Sequence, residues 1–223
     1  QAIEGQNLQQ LKKGTSSAES VTVSFDMKTN KAFTFMAELD DTDNNRVNTQ
    51  QFTTTTGWTR HSITFAGDTT GTLDDDNAVS LRFNIFVHAG SNFTGGTYSA
   101  NTWQSRASSD NMRAVGIGSF FDSTDNEIQL TGLQIEIGET ATAFEHRTFA
   151  DDLAACQRYF QKSYDYGTDI GTATTVGAMV HRHTASDDVS NRTPNMTFPV
   201  EMRAATTTVV YSLNGTSAAA SDC

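Results

Sequence analysis

The sequence predicts a mainly β protein: a jelly-roll-like antiparallel β-sandwich, followed by one short helix and a smaller C-terminal β segment. Three observations carry that expectation. Apolar and polar residues alternate with period two in five runs spread over the first 137 positions. Turns rich in Gly, Asn and Asp separate these runs at near-regular spacing, which suits a sandwich rather than a helical or α/β fold. One stretch, GETATAFEHRTFADDLAACQRYFQ at 138–161, breaks the pattern with helical periodicity.

The strands follow in order. In SVTVSFDM, Val21, Val23, Phe25 and Met27 share one face while Ser and Thr take the other. KAFTFMAEL repeats the pattern with Phe33, Phe35, Ala37 and Leu39, and in WTRHSITF Ile63 and Phe65 fall in phase with His61. Trp58, which opens that run, reads as a core residue. AVSLRFNIFVH places Val79, Leu81, Phe83, Ile85 and Val87 on one face. EIQLTGLQIEI changes phase midway, and a bulge at Thr131–Gly132 would return Ile128, Leu130, Leu133, Ile135 and Ile137 to a single face. Strands of this kind suit antiparallel sheets wetted on one side and stacked on the other. DDTDNNR (40–46) and GDTTGTLDDDN (67–77) are turns, and HAGSNFTGGTYSANT (88–102) is a long loop.

Gly138 closes the last of these strands. Thr148 is placed as a helix N-cap with Asp151 three residues on, a weak capping box. Asp151 and Asp152 in the first turn and Arg158 and Lys162 near the end suit the helix dipole. Phe149, Leu153, Cys156 and Phe160 form one apolar stripe, so the helix is expected to dock on apolar surface, with Cys156 as core. Beyond it GTATTVGAMVHRH and NMTFPVEMRAATTTVVYSL read as β again. The expected domains are a jelly roll at 1–145, a connecting helix at 146–165 and a C-terminal β domain at 166–223. A chain that starts at Gln1 is expected to be part of a longer protein, its first domain lacking its opening residues and its second unfinished.

Composition narrows the function classes. The 223 residues carry 15 Lys and Arg against 26 Asp and Glu, a net charge of −11 that repels a phosphate backbone. Nucleic acid is therefore not expected as a partner. No apolar run approaches the roughly 20 residues needed to span a bilayer, and no membrane insertion is expected. Two cysteines, Cys156 and Cys223, make no disulfide framework. No G-x-S-x-G elbow, P-loop or dinucleotide fingerprint occurs, and no cofactor is implied.

Several constellations could bind something. Asp41, Asp43 and Asn45 imitate the first oxygens of a calcium loop, but Arg46 stands where Gly is needed and Phe52 where Glu is needed; the other reading is a solvated hairpin turn. Asp74, Asp75 and Asp76 read either as a calcium-holding loop or as an exposed acidic turn. His181 and His183 alternate in VHRH and are metal candidates only if other subunits complete the set, since one pair is an unfinished ligand shell. Tyr98 and Trp103 flank the glycine-rich loop and are the candidate platforms for a sugar ring; packing is the competing role. Paired carboxylates for polysaccharide hydrolysis are weighed against simple solvation in turns.

The segment GLQIEIGETATAFEHRTFADDLAACQRYFQK resembles a signature of bacteriophage structural proteins, especially tail-fibre and virion surface proteins of marine podoviruses. That family has a strand ending Q-L-E-x-G, then A-T-x-F-E-x-R, then a helix ending C-Q-R-Y-Y. The matching residues are Gln134, Glu136, Gly138, Ala141, Thr142, Phe144, Glu145, Arg147 and Cys156 through Tyr159. Ile3 to Phe25, Thr64 to Phe83 and Phe198 to Thr207 are similar to other parts of the family. Ala143 stands where the family often has Pro, and Phe160 replaces the second Tyr. The resemblance implies a virion protein with a carbohydrate-binding-module-like jelly roll and no catalytic motif. It further implies a tail-fibre or surface-appendage subunit for assembly and host attachment, a homotrimer with other virion proteins as partners and a host glycan as a possible ligand. A receptor-recognition module, a capsid decoration protein and a polysaccharide depolymerase are the alternatives.

Overall fold

A computed structural model of the chain describes residues 1–106, 112–177, 197–205, 207–211, 214–215 and 217–218. It divides into two compact units, Gln1–Glu145 and His146–Cys223.

The first unit is an antiparallel β-sandwich. Among the described residues eight strands form it: β1 (Ala2–Glu4), β2 (Val21–Thr29), β3 (Phe33–Asp41), β4 (Arg46–Thr54), β5 (Thr59–Phe65), β6 (Val79–Phe86), β7 (Gln104–Ser105) and β8 (Ile128–Ile137). One sheet has the order β1-β6-β3-β4-β7 and the other β5-β2-β8. Period-two alternation gives each strand one apolar side, and the sandwich closes these sides against each other. Val21, Val23, Phe25, Met27, Ile63 and Phe65 from the smaller sheet face Phe35, Ala37, Leu39, Phe52, Leu81 and Phe83 from the larger, all buried. Phenylalanines lock the centre, with Phe25 edge-on to Phe52 at 5.2 Å between centroids and Phe35 stacked on Phe52 at 5.7 Å. Such pairs add about 0.5–1.5 kcal/mol beyond their buried area. His61 shares this face, 5.0 Å from the Phe52 ring and 5.4 Å from Phe25.

The phase change in the last strand is a bulge. Ser24 pairs with Gln134 but Asp26 pairs with Thr131, which leaves Gly132 and Leu133 across from Phe25. Gly132 has φ +60, and a Cβ there would sit 3.0 Å from both an Arg60 nitrogen and an Asp26 oxygen. Leu130 and Ile128 thus pair with Met27 and Thr29, and Ile135 and Ile137 with Val23 and Val21, all on one face. Leu133 and Ile135 pack on the core, while Ile128, Leu130 and Ile137 at the two ends stay exposed.

After Gly138 the chain folds back over the outer side of β8. Gln134 and Glu136, which point away from the core, hold it there. The Thr142 amide donates to Glu136 Oε2 at 3.1 Å, and the Glu145 amide donates to Gln134 Oε1 at 2.8 Å. Thr22 Oγ1 donates to the Gly138 carbonyl and Thr64 Oγ1 to that of Glu139. The signature residues Gln134, Glu136, Thr142 and Glu145 are therefore the parts of one hook.

The second unit contains helix α2 (Phe149–Gln157) and the antiparallel pair β9 (Val210–Tyr211) and β10 (Ser217–Ala218); α1 is a single turn at Ser91–Thr94 in the first unit. Thr148 caps α2, its Oγ1 accepting from the Asp151 amide and donating to the Asp151 carboxylate at 2.7 Å. The Arg203 amide donates to Arg158 O, and the Gln161 side chain donates to Val200 O. Two expectations are corrected here. The stripe Phe149, Leu153, Cys156, Phe160 is not buried: Phe149 is 74% exposed, Phe160 59%, and Cys156 is a free, exposed thiol. The physical reason is that the described strands of this unit span two residues each, too little sheet to cover a helix face. The described part of GTATTVGAMVHRH, residues 171–177, forms no strand, and the rest lies outside the described residues.

Candidate functional site

The outer side of the five-stranded sheet carries the densest chemistry in the molecule. Strand alternation that sends Phe35, Ala37 and Leu39 inward sends Met36, Glu38 and Asp40 outward, yet Met36 and Glu38 are fully buried and Asp40 nearly so. Residues 87–106 and 112–119 cover them. Arg113 meets Glu38 as a fork, Nε to Oε2 at 2.6 Å and Nη2 to Oε1 at 2.5 Å. Asn84 adds a bond to Glu38 Oε1 at 3.0 Å. Arg106 Nη1 lies 2.9 Å from Asp40 Oδ1, with Arg82 and Arg113 each 3.8 Å from Asp40 Oδ2. The Arg113 guanidinium also rests over the Phe86 and Phe93 rings, 5.6 Å from each centroid. A planar guanidinium suits this position because it can fork a carboxylate and stack on aromatic faces at once.

Tyr98 and Trp103, the sugar-platform candidates, belong to the same covering segment and have structural partners. The Tyr98 hydroxyl accepts from the Gln51 amide at 2.8 Å, and the Asn101 amide donates to Thr49 O at 3.1 Å. Together with β7, which pairs only with Arg46 and Val47, these bonds occupy the free edge of β4. Trp103 is half-buried against the core, and its Nε1 donates to Ala66 O at 2.6 Å. Both rings are half-buried, and the Lys13 ammonium lies over the Trp103 ring, 5.4 Å from its centroid. Trp58 is a correction in the opposite sense: it sits in the β4–β5 turn and is 52% exposed rather than core. The β4–β5 connection crosses from the larger sheet to the smaller, and Thr59 is the first residue to pair there, so Trp58 lies before the strand begins.

The calcium-like aspartates also divide. Asp41 is fully buried; its Oδ1 accepts from the Asp43 and Asn44 amides, each at 3.0 Å, and its Oδ2 meets Lys13 Nζ at 2.5 Å. Asp41 is therefore ion-paired inside the protein, while Asp43 is half-buried and Asn45 exposed. Asn45 takes φ +52, and Asp43 Oδ2 accepts from the Asp74 amide. Asp74, Asp75 and Asp76 are exposed, with Asp76 Oδ1 accepting from the Ala78 amide. Among the described residues no three His, Cys, Asp or Glu side chains gather as a metal-holding group. His181 and His183 lie outside the described residues.

Charge states follow from these surroundings. Burial pushes the Asp68 carboxyl up, but hydrogen bonds from Arg46, the Thr70 amide and Lys13 outweigh it and hold the group below its ordinary range. Burial lowers His61 below its ordinary value, with the Asp26 charge opposing. Glu136 is lowered by the Thr142 hydroxyl first and then by Gln134, so the hook stays ionised into acid.

The residues that sequence reasoning missed are Lys13, Glu38, Asp40, Asp68, Arg82, Arg106 and Arg113. Glu38 and Asp40 occupy the polar phase of a strand, where solvent is the default neighbour, and only partners such as Arg106 and Arg113 change that. Chemically, the buried carboxylates Glu38, Asp40, Asp41 and Asp68 are each committed to a cation, which makes a scaffold of fixed charges. Comparison with protein-family models, with curated proteins and with solved structures finds no match to this chain. Among the described residues no helix is long and apolar enough to cross a membrane.

Proposed function

We propose that this chain is a non-enzymatic structural protein of a bacteriophage particle, a tail-fibre or surface-appendage subunit acting in assembly and host attachment. The observation that carries the reading is the hook. The residues of the phage-like signature, Gln134, Glu136, Thr142 and Glu145, tie the chain down where the sandwich ends, and a module with a fastened end is what a modular appendage needs. The commitment of Glu38, Asp40, Asp41 and Asp68 to Arg and Lys partners supports a scaffold role over acid–base chemistry, which needs a carboxylate free to exchange its proton. In this reading the partners are other virion proteins and further copies of the chain as a homotrimer, and the location is the virion.

In cultures producing the protein, antibodies raised against it decorate the surface of virus particles in electron micrographs. Decoration confined to host cells or to the particle-free fraction would overturn the proposal.

Host attachment through a glycan is a second reading, and the exposed indole favours it at a new place. With Tyr98 and Trp103 engaged internally, Trp58 in the β4–β5 turn is the exposed indole of this unit; the phenyl rings of Phe121 and Phe144 are exposed as well. Glycan-array binding that disappears in Trp58→Ala but persists in Tyr98→Phe supports it; an array silent for the unaltered chain removes it.

A further inference from the structure

One end of the sandwich buries a lysine in oxygen. Lys13 Nζ lies 2.5 Å from Asp41 Oδ2 and 3.1 Å from Asp68 Oδ2, and donates to Thr70 O and Gly71 O, each at 2.9 Å. The Lys13 side chain is 5% exposed, Asp41 0% and Asp68 3%. The oxygens come from two segments, the β3–β4 turn and the 67–77 loop, and a third delivers the ammonium. Two are carboxylates and two are main-chain carbonyls, a ligand mixture that hard cations take.

Charge and distance specify the cation. Arg46 forks Asp68, with Nε to Oδ2 at 2.6 Å and Nη2 to Oδ1 at 3.0 Å. Two carboxylates and one guanidinium leave a single negative charge, which one ammonium cancels; a divalent ion would leave an excess positive charge in a buried place. Three of the four nitrogen–oxygen distances exceed the roughly 2.0–2.6 Å of magnesium and calcium ligands. A separate observation marks the same end as short of donors. Asn48, two residues along β4 from Arg46 on the same face, is fully buried, and its Oδ1 has no hydrogen-bond partner.

We propose that this cage is a monovalent-cation site that the protein fills with its own Lys13 ammonium, and that it takes up free ammonium or potassium once that side chain is cut back. The tethered ion joins the 12–14 turn to both acidic loops, so the loop end of the sandwich holds its shape without calcium. The calcium-like aspartates of the sequence serve an internal cation.

The test uses the full chain and thermal unfolding. In choline chloride, Lys13→Ala melts roughly 10 °C below the unaltered protein, because two buried carboxylates lose their partner. Ammonium or potassium chloride at the same ionic strength recovers at least half of that loss along a saturating curve. The unaltered protein melts alike in all three salts and in EDTA. Lys13→Met, whose stem fills the cage without charge, stays low in every salt. Equal melting of Lys13→Ala in choline, ammonium and potassium overturns the proposal, as does recovery by calcium alone. If Lys13→Ala is unfolded in choline, the return of its β-sheet circular dichroism on adding ammonium supports the site, and failure to return overturns it.

Discussion

Residues 1–145 and residues 146–223 put their apolar side chains to different use. In the first unit they close between two sheets, and every buried side chain among the described residues belongs to it. In the second, Phe149, Tyr159, Phe160, Tyr166, Ile170 and Val176 are all at least half exposed. The charges differ in parallel. Residues 1–145 hold 18 Asp and Glu against nine Lys and Arg, and residues 146–223 hold eight against six. The acidic unit spends five of its cations inside the fold, on Glu38, Asp40, Asp41 and Asp68. A core is thus a matter of paired sheets: apolar residues alone do not make one when the strands around them are two residues long.

The comparison breaks most sharply at Arg113. Arg113→Ala leaves Glu38 buried and without its fork, and should destabilise the first unit by about 3–5 kcal/mol. Urea unfolding followed by the first unit's signals measures this; a loss within about 0.5 kcal/mol, the ordinary range for a surface site, would show that the cover over Glu38 is not braced there. Gly132→Ala forces a side chain into φ +60 against Arg60 and Asp26, for about 1–2 kcal/mol. A stabilised Gly132→Ala protein would contradict the bulge.

A smaller effect separates the units by pH. The folded state holds His61 neutral while the unfolded chain protonates it near about pH 6.5. Stability is therefore complete above that pH and falls as pH drops below it. His61→Phe should flatten the slope between about pH 6.5 and 5, and an unchanged slope would assign it to other groups. Smallest of all, Phe149→Ser should change the unfolding of the single chain by no more than about 0.5 kcal/mol, since its ring is already in water. A loss of 2 kcal/mol or more, a core-sized effect by the same measure, would mean that α2 has a cover.

Much of the sandwich was legible from local pattern. Val21, Val23, Phe25 and Met27 had to share a side because a strand repeats every two residues, and the parity change at Thr131–Gly132 required an extra residue. Thr148 was legible as a cap because its hydroxyl and the Asp151 amide lie within one turn of chain. The candidate site was far less legible. Tyr98 and Trp103 looked like ligand platforms because nothing near them in sequence names Gln51 or Ala66 as partners. Trp58 looked like core because it opens an alternating run whose first residue falls beyond the sheet.

Sequence alone determined β2, β3, β5, β6 and β8, their inward faces, the bulge and the helix cap, since each depends on neighbours fewer than about five positions apart; the mostly polar run of β4 and the short β1 and β7 carried no such pattern and were settled by their partners in the larger sheet. Tertiary structure decided which polar residues went inside. Glu38 met Arg113 and Lys13 met Asp41 and Asp68 across 28 to 75 positions of chain. The worth of a charge depends on whether water or a counter-charge surrounds it, and no local pattern carries that information.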